Sequence, residues 1–321
     1  MDVIGYLLDG DPAIAWQVMR DLTDAEPDEI AAVRARVATE GWGAQLLDAQ
    51  ADDGLWDGGV YRPGWVDEDR PFYDAWSATH PTLEMLRIYG VDPASPAVSR
   101  AVARVRDNVR WSNAGEPYFE GEVEPCINGG ALANAAYFGQ DGSKIVETLL
   151  KTRLSDGGWN CWDEDGTSPS SFHSTLCALE GLWAWESATA EGADALAQAR
   201  HAGEEYLLAR RLMFRASDGG PVDPRFLLTS FPSRWYYDVL RALDYFRLAR
   251  PERDPRCADA VELVRGKMLP FGLWKLENTH QGSTLFEMEA EHEGFPSRWI
   301  TLRALRVLRW WDNPNSLPPA G

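Results

Sequence analysis

Two kinds of helical pattern alternate along the chain. One is apolar on most sides, as in Leu176-Cys177-Ala178-Leu179 and Trp183-Ala184-Trp185. The other is amphipathic: within 27–49, the apolar Ile30, Val33, Val37 and Leu46 fall mainly at helical spacing. Further amphipathic stretches occupy 95–109, 142–154, 193–212 and 255–268. A helix that is apolar all round is buried on every side, whereas an amphipathic helix keeps one wet face. The alternation therefore predicts buried inner helices and half-wet outer ones. No series of alternating strands interrupts it.

The pattern recurs with a period. Gln17, Thr82, Asn128, Thr175, Tyr237 and Thr301 each lie near the start of an apolar helix. Steps of roughly 45–65 residues leave room for two helices and their connections. Six such hairpins predict an all-α fold, an α/α toroid with inner and outer helix rings. One domain is expected over 1–312, with 313–321 as a frayed Pro-rich tail.

Gly-rich turns with Trp punctuate the units: Asp53-Gly54-Leu55-Trp56, Asp156-Gly157-Gly158-Trp159 and Gly272-Leu273-Trp274, with Ser217-Asp218-Gly219-Gly220 as a turn lacking Trp. Gly supplies positive φ where an outer helix turns into the next unit, and the Trp is expected to clamp neighbouring helix ends. Trp76, Trp183, Trp185, Trp235, Tyr236 and Trp299 lie on or beside inner helices and are candidates for an aromatic cavity lining.

In a toroid of hairpins the inner helices run the same way, so their N-termini share one mouth, where helix dipoles favour anions. His80, Cys126, Asn128, His173, Arg234 and Arg298 are expected there. Glu124, Cys126 and His173 combine a carboxylate, a thiolate and an imidazole, a donor set that suits Zn2+ and leaves one position open. Equivalent places in adjacent repeats should bring Cys126 and His173 together. Arg234, Asp238 and Arg241 fall at i, i+4 and i+7 of an apolar helix. They are expected on one face, as an ion-pair stripe or with Asp238 as a general acid or base.

The balance of charge narrows the partners. A net charge of -19, from 50 acidic and 31 basic residues, argues against nucleic acid and anionic membrane surfaces. There is no signal-like N-terminus and no apolar run long enough to span a bilayer, so a cytoplasmic chain is expected. Cys126, Cys161, Cys177 and Cys257 form no C-x-x-C pair and read as free thiols or metal ligands.

On these residues the chain resembles the terpenoid cyclase and protein prenyltransferase superfamily. The Gly-Trp turns resemble the Q-W repeats of squalene cyclases. His173-Ser174-Thr175-Leu176-Cys177-Ala178-Leu179-Glu180-Gly181-Leu182 resembles the prenyltransferase β-subunit helix that opens with a zinc-ligating histidine. Glu124-Pro125-Cys126 stands where that family has D-x-C, and His80 stands where it has a histidine contacting the prenyl diphosphate.

The resemblance implies an α/α toroid, a Zn2+ site of Glu124, Cys126 and His173, and an apolar, isoprenoid-like substrate. Catalytic roles then fall to His80 and Asp238, and substrate contacts to Trp76, Asn128, Arg234, Trp235, Tyr236, Arg298 and Trp299. Those β subunits work with a helical partner subunit, and the residues of this chain decide neither for nor against one.

Two departures matter. Glu116-Pro117-Tyr118-Phe119-Glu120-Gly121-Glu122 is acidic where the prenyltransferases carry basic residues that grip diphosphate. No D-x-D-D acid of the squalene-cyclase kind lies on an inner helix, since Asp67-Glu68-Asp69 and Asp163-Glu164-Asp165 fall in loops. The leading expectation is a zinc-dependent enzyme in which the metal activates a thiol or water. The rivals are a metal-free cyclase or isomerase with Asp238 as proton donor, and a non-catalytic scaffold.

Overall fold

The computed structural model describes residues 2–66, 75–162, 168–189, 193–250, 252–287 and 292–313. Both acidic runs, 67–69 and 163–165, lie outside them, as does the tail from 314 onward. The chain is all-helical: among the described residues there are only isolated β-bridges and no strand. No helix among these residues is long and apolar enough to cross a membrane.

The helices are α1 (Val3–Leu8), α2 (Pro12–Leu22), α3 (Pro27–Arg36), α4 (Gly41–Asp48), α5 (Thr79–Tyr89), α6 (Pro96–Asn108), α7 (Pro125–Tyr137), α8 (Ser143–Lys151), α9 (Phe172–Ala188), α10 (Ala193–Leu208), α11 (Val239–Ala249), α12 (Ala258–Gly266) and α13 (Arg298–Asp312). They fall into two compact units. One comprises Met1–Arg34, Leu207–His280 and Met288–Gly321, and the other Ala35–Tyr206 with Gln281–Glu287.

Local chemistry sets the helix starts. Asp11 before Pro12, Ser171 before Phe172 and Ser297 before Arg298 each accept a backbone N–H of the first turn. In the second unit the two kinds of helix alternate as expected. Helices α5, α7 and α9 bury most of their residues, whereas α6 buries only Val98, Ala101, Val102 and Val105, and α8 only Ile145 and Leu149.

The Trp turns share one geometry. The indole N–H of Trp56 donates to Leu46 O at 2.6 Å, that of Trp159 to Leu149 O at 2.8 Å and that of Trp274 to Val264 O at 2.7 Å. The backbone N–H of the same residues reaches Thr79, Thr175 and Thr301 Oγ1 at 3.2, 3.1 and 3.0 Å. Each Trp thus ties the end of an outer helix to the start of the next inner one, and all three are buried. Gly157 turns this corner at φ +103, where a Cβ would sit 2.6 Å from Ala202 O.

Helices α7 and α9 approach at their backbones. A Cβ on Gly129 would lie 2.1 Å from Cys177 O, and one on Gly181 would lie 2.4 Å from Gly129 O. Only glycine permits this approach. It holds the N-terminal turn of α7, which carries Cys126, beside the N-terminal turn of α9, which carries Ser174.

Candidate thiol and carboxylate centre

Glu124 caps α7, Cys126 lies in its first turn, and Cys161 follows the Asp156–Trp159 turn by two residues. One ligand atom from each of Glu124, Cys126 and Cys161 lies within 4.8 Å of the others. The two sulfurs are 2.7 Å apart, and both cysteines are free. The Cys126 thiol also reaches Glu124 Oε2 at 3.6 Å.

Cys161 Sγ accepts from the Cys126 backbone N–H at 3.3 Å and from Ser174 Oγ at 3.2 Å. Hydrogen bonding from Cys126 holds the Cys161 thiol below its ordinary range against the opposing effect of burial, with help from Ser174. Cys126, sharing that bond and buried, is pushed up. The two thiols are therefore unequal, Cys161 releasing its proton more readily than Cys126.

The surroundings are acidic and partly apolar. Burial and then repulsion from Glu122 push the Glu124 carboxyl up. Glu122 is buried; its Oε2 accepts from the Val123 and Glu124 N–H groups, while its Oε1 has no hydrogen-bond partner among the described residues. Val123, at 61% exposure, and Trp162, at 82%, flank the centre as outward apolar side chains.

A buried polar chain runs beside it. Arg87 Nε donates to Asn134 Oδ1, Asn134 Nδ2 donates to the Tyr118 hydroxyl, and that hydroxyl meets His80 Nδ1, each at 2.9 Å. Because arginine is always a donor, each bond fixes the next. Tyr118 is left to donate to Nδ1, so neutral His80 carries its proton on Nε2, which lies 3.8 Å from Glu84 Oε1. Burial pushes His80 down, partly offset by Glu84. The same His80 and Glu84 pack on Gly130, one helical turn beyond Cys126 on α7.

The converging group overlaps the expected donor set in Glu124 and Cys126, and Cys161 is its third member, where sequence spacing suggested His173. On α9, Ser174 Oγ bonds the Cys161 thiol. The Asn128 side chain exchanges two hydrogen bonds with the Glu122 backbone, which fixes the loop entering α7. Trp76 is buried, with its indole N–H on Gln281 O at 2.8 Å.

The remaining expected site residues lie in the other unit. Helix α11 begins at Val239, so Arg234, Asp238 and Arg241 do not form a helical stripe. Asp238 is the N-cap and accepts the Arg241 N–H at 2.8 Å, which stops the helix from extending back to Arg234. The Arg241 guanidinium folds back onto Arg234 O and Tyr236 O at 2.8 and 2.7 Å.

Burial raises Asp238 to about 6, against the opposing pull of Arg303. Trp235 stacks on Tyr236 at 3.9 Å, and Tyr236 stacks on His280 at 3.8 Å. Arg298 lies over the Tyr6 ring at 4.2 Å, and Trp299 stacks on Phe231 at 4.6 Å.

No family model matches the sequence, and no curated protein matches it. Solved structures do. A protein from Actinoplanes matches at 16% identity over 94% of this chain and 90% of its own, with a TM-score of 0.45. The type II terpene cyclase MstE from Scytonema matches in two variant structures. The apo form gives 13% identity over 87% of this chain and 96% of its own, at TM-score 0.38. The complex with geranylgeranyl dihydroxybenzoate gives 14%, 89%, 97% and 0.37. At such identities and TM-scores the likeness carries no inference about activity.

Proposed function

We propose that this chain is a zinc-dependent enzyme of the prenyltransferase and terpenoid-cyclase kind, acting on an apolar, isoprenoid-like substrate. The observation that carries this reading is the convergence of Glu124, Cys126 and Cys161 within 4.8 Å. Two sulfurs and a carboxylate are a zinc donor set, and three protein ligands leave a fourth position for chemistry. Tetrahedral zinc with Zn–S bonds of ~2.3 Å separates its sulfurs by ~3.8 Å. The pair would open by about 1 Å from its present 2.7 Å. A dication beside the orphaned Glu122 oxygen would offset the burial and the Glu122 repulsion that push the Glu124 carboxyl up.

Bound zinc would supply Lewis acidity that makes a coordinated thiol or water nucleophilic at neutral pH. The chain's own residues do the rest. Neutral His80, locked by Tyr118, Asn134 and Arg87, presents an Nε2–H as a hydrogen-bond donor on the Glu84 side of its ring. Val123 and Trp162 offer apolar surface to a substrate at the mouth of the centre. The acidic approach at Glu122 and Glu124 disfavours a diphosphate, so a neutral isoprenoid acceptor or product fits better.

Cobalt substitution tests this reading. Co2+ added to the reduced protein should give thiolate-to-metal charge-transfer absorption that Cys126→Ser and Cys161→Ser each abolish. A spectrum without charge transfer would end the reading. The second reading is a metal-free cyclase with Asp238 as proton donor, favoured by the burial that raises Asp238 to about 6. Turnover of an isoprenoid that survives chelation but fails in Asp238→Asn would select it.

A further inference from the structure

We propose that Cys126 and Cys161 are a redox-active dithiol that closes to a reversible disulfide and, when closed, shuts the site to metal. The metal half of this inference rests on the zinc reading above, whereas the disulfide half does not. At 2.7 Å the sulfurs are nearer than ordinary non-bonded sulfurs. They need to close by only about 0.7 Å to reach the ~2.05 Å of a disulfide. The same pair would open by about 1 Å to hold zinc. The present separation lies between the two end states, and one pair of sulfurs cannot serve both.

The surroundings distinguish the two cysteines. Cys161 is half-buried and adjoins the exposed Trp162, so a reagent can reach it. Its sulfur is the acceptor for Ser174 Oγ and for the Cys126 backbone N–H. Cys126 lies behind it, buried in the first turn of α7. Cys177 and Cys257 are also buried, and Cys257 lies in the other unit.

The oxidant is a low-molecular-weight disulfide, RSSR. Cys161 sulfur attacks one sulfur of RSSR; the RS–SR bond breaks and a mixed disulfide forms with release of RS⁻. Cys126 sulfur then attacks Cys161 sulfur and expels the second RS⁻. The protons of the two protein thiols end on the two released thiolates. The protein loses two electrons and RSSR gains them. A dithiol reductant reverses both steps.

The test uses the full chain, reduced and desalted, then incubated with oxidised glutathione and trapped with a maleimide for mass analysis. Wild type should lose two labelled thiols, retain no glutathione, and yield a peptide linking Cys126 to Cys161. Cys126→Ser should stop with one glutathione on Cys161, and Cys161→Ser should take up none at position 126. Wild type that keeps all its thiols, or that halts at the mixed disulfide, would overturn the proposal. So would equal glutathione uptake by the two serine variants.

Repeating the reaction with saturating zinc separates the two halves. Protection by zinc supports both. Disulfide formation at an unchanged rate supports the dithiol but refutes a shared metal site.

Discussion

The substitution Gly129→Ala opposes two effects of different size. Helix propensity alone favours alanine by ~1 kcal/mol in a helix interior. Packing forbids it: the new Cβ would sit 2.1 Å from Cys177 O and 2.3 Å from Cys177 C. Ordinary contact begins near 3.4 Å, so about 1.3 Å must be found. Both obstructing atoms are backbone within α9, which cannot rotate aside as a side chain can.

The helices must therefore part, loosening the packing of buried Ile127 and Ala131 on α7 and Leu182 on α9. Overpacking of this kind costs ~1–3 kcal/mol and at times more, and the full overlap with backbone puts this site at the upper end. After the propensity gain, a net loss of ~2 kcal/mol is expected, about a 30-fold shift toward the unfolded state. Urea unfolding measures it. Because the same approach holds Cys126 beside Ser174 and Cys161, glutathione-driven disulfide closure should also slow in the folded variant. An alanine variant as stable as wild type, or more stable by the propensity difference, would refute the close approach of α7 and α9.

Other outcomes follow from the charge networks. Arg306→Ala removes one of the two arginine partners of buried Asp21, leaving Arg20, and should cost ~1.5–3 kcal/mol in urea unfolding; an unchanged stability would contradict a buried pair. Burial raises Asp21, but Arg306 and then Arg20 outweigh it and hold the group at about 2, against an ordinary 3.8. This pair stabilises the fold above pH ~4, and the contribution of ~2.5 kcal/mol fades as pH falls toward 2. Asp21→Asn should remove that acid sensitivity.

Asp238 has the opposite sign. Raised to about 6 from 3.8, it binds its proton more tightly when folded. Its contribution is therefore present below pH ~4 and is lost as pH rises through 6, a change of ~3 kcal/mol. Asp238→Asn should flatten the stability profile between pH 4 and 6 without loss at pH 7, since Asn also caps helices. Tyr118→Phe removes the donor to His80 Nδ1; the imidazole 15N shifts should then show a mixture of tautomers, where the native protein shows a proton on Nε2.

Much of the helical order was legible because burial leaves a periodic trace. The apolar runs at 79–89, 125–137 and 172–188 became the buried helices α5, α7 and α9, and the Gly-Trp turns became three identical clamps. The stretch 27–49 was misread as one amphipathic piece; Thr39, Glu40 and Gly41, the last at φ +64, divide it into α3 and α4. Helix α11 began later than expected because a capping carboxylate outweighs an apolar pattern that continues backward through Trp235 and Tyr236.

The site was half legible. Glu124 and Cys126 were marked by their place before an apolar helix. Cys161 lies in a connection, where no period points to a side chain, and its only signal was its place two residues past the Trp159 turn. His173 was favoured by its place at a helix start, and its neighbour Ser174 bonds the Cys161 thiol. The Arg87–Asn134–Tyr118–His80 chain joins residues from three segments, and only the folded arrangement reveals it.

The central claim is that Glu124, Cys126 and Cys161 form one metal centre. Elemental analysis of protein purified under reducing conditions tests it most directly, comparing the wild type with Cys126→Ser, Cys161→Ser and His173→Ala. The account predicts about one zinc per wild-type chain, lost in both serine variants and retained in His173→Ala. Metal-free wild-type protein that also fails to take up added zinc, or zinc that persists when Cys161 is replaced, would contradict it.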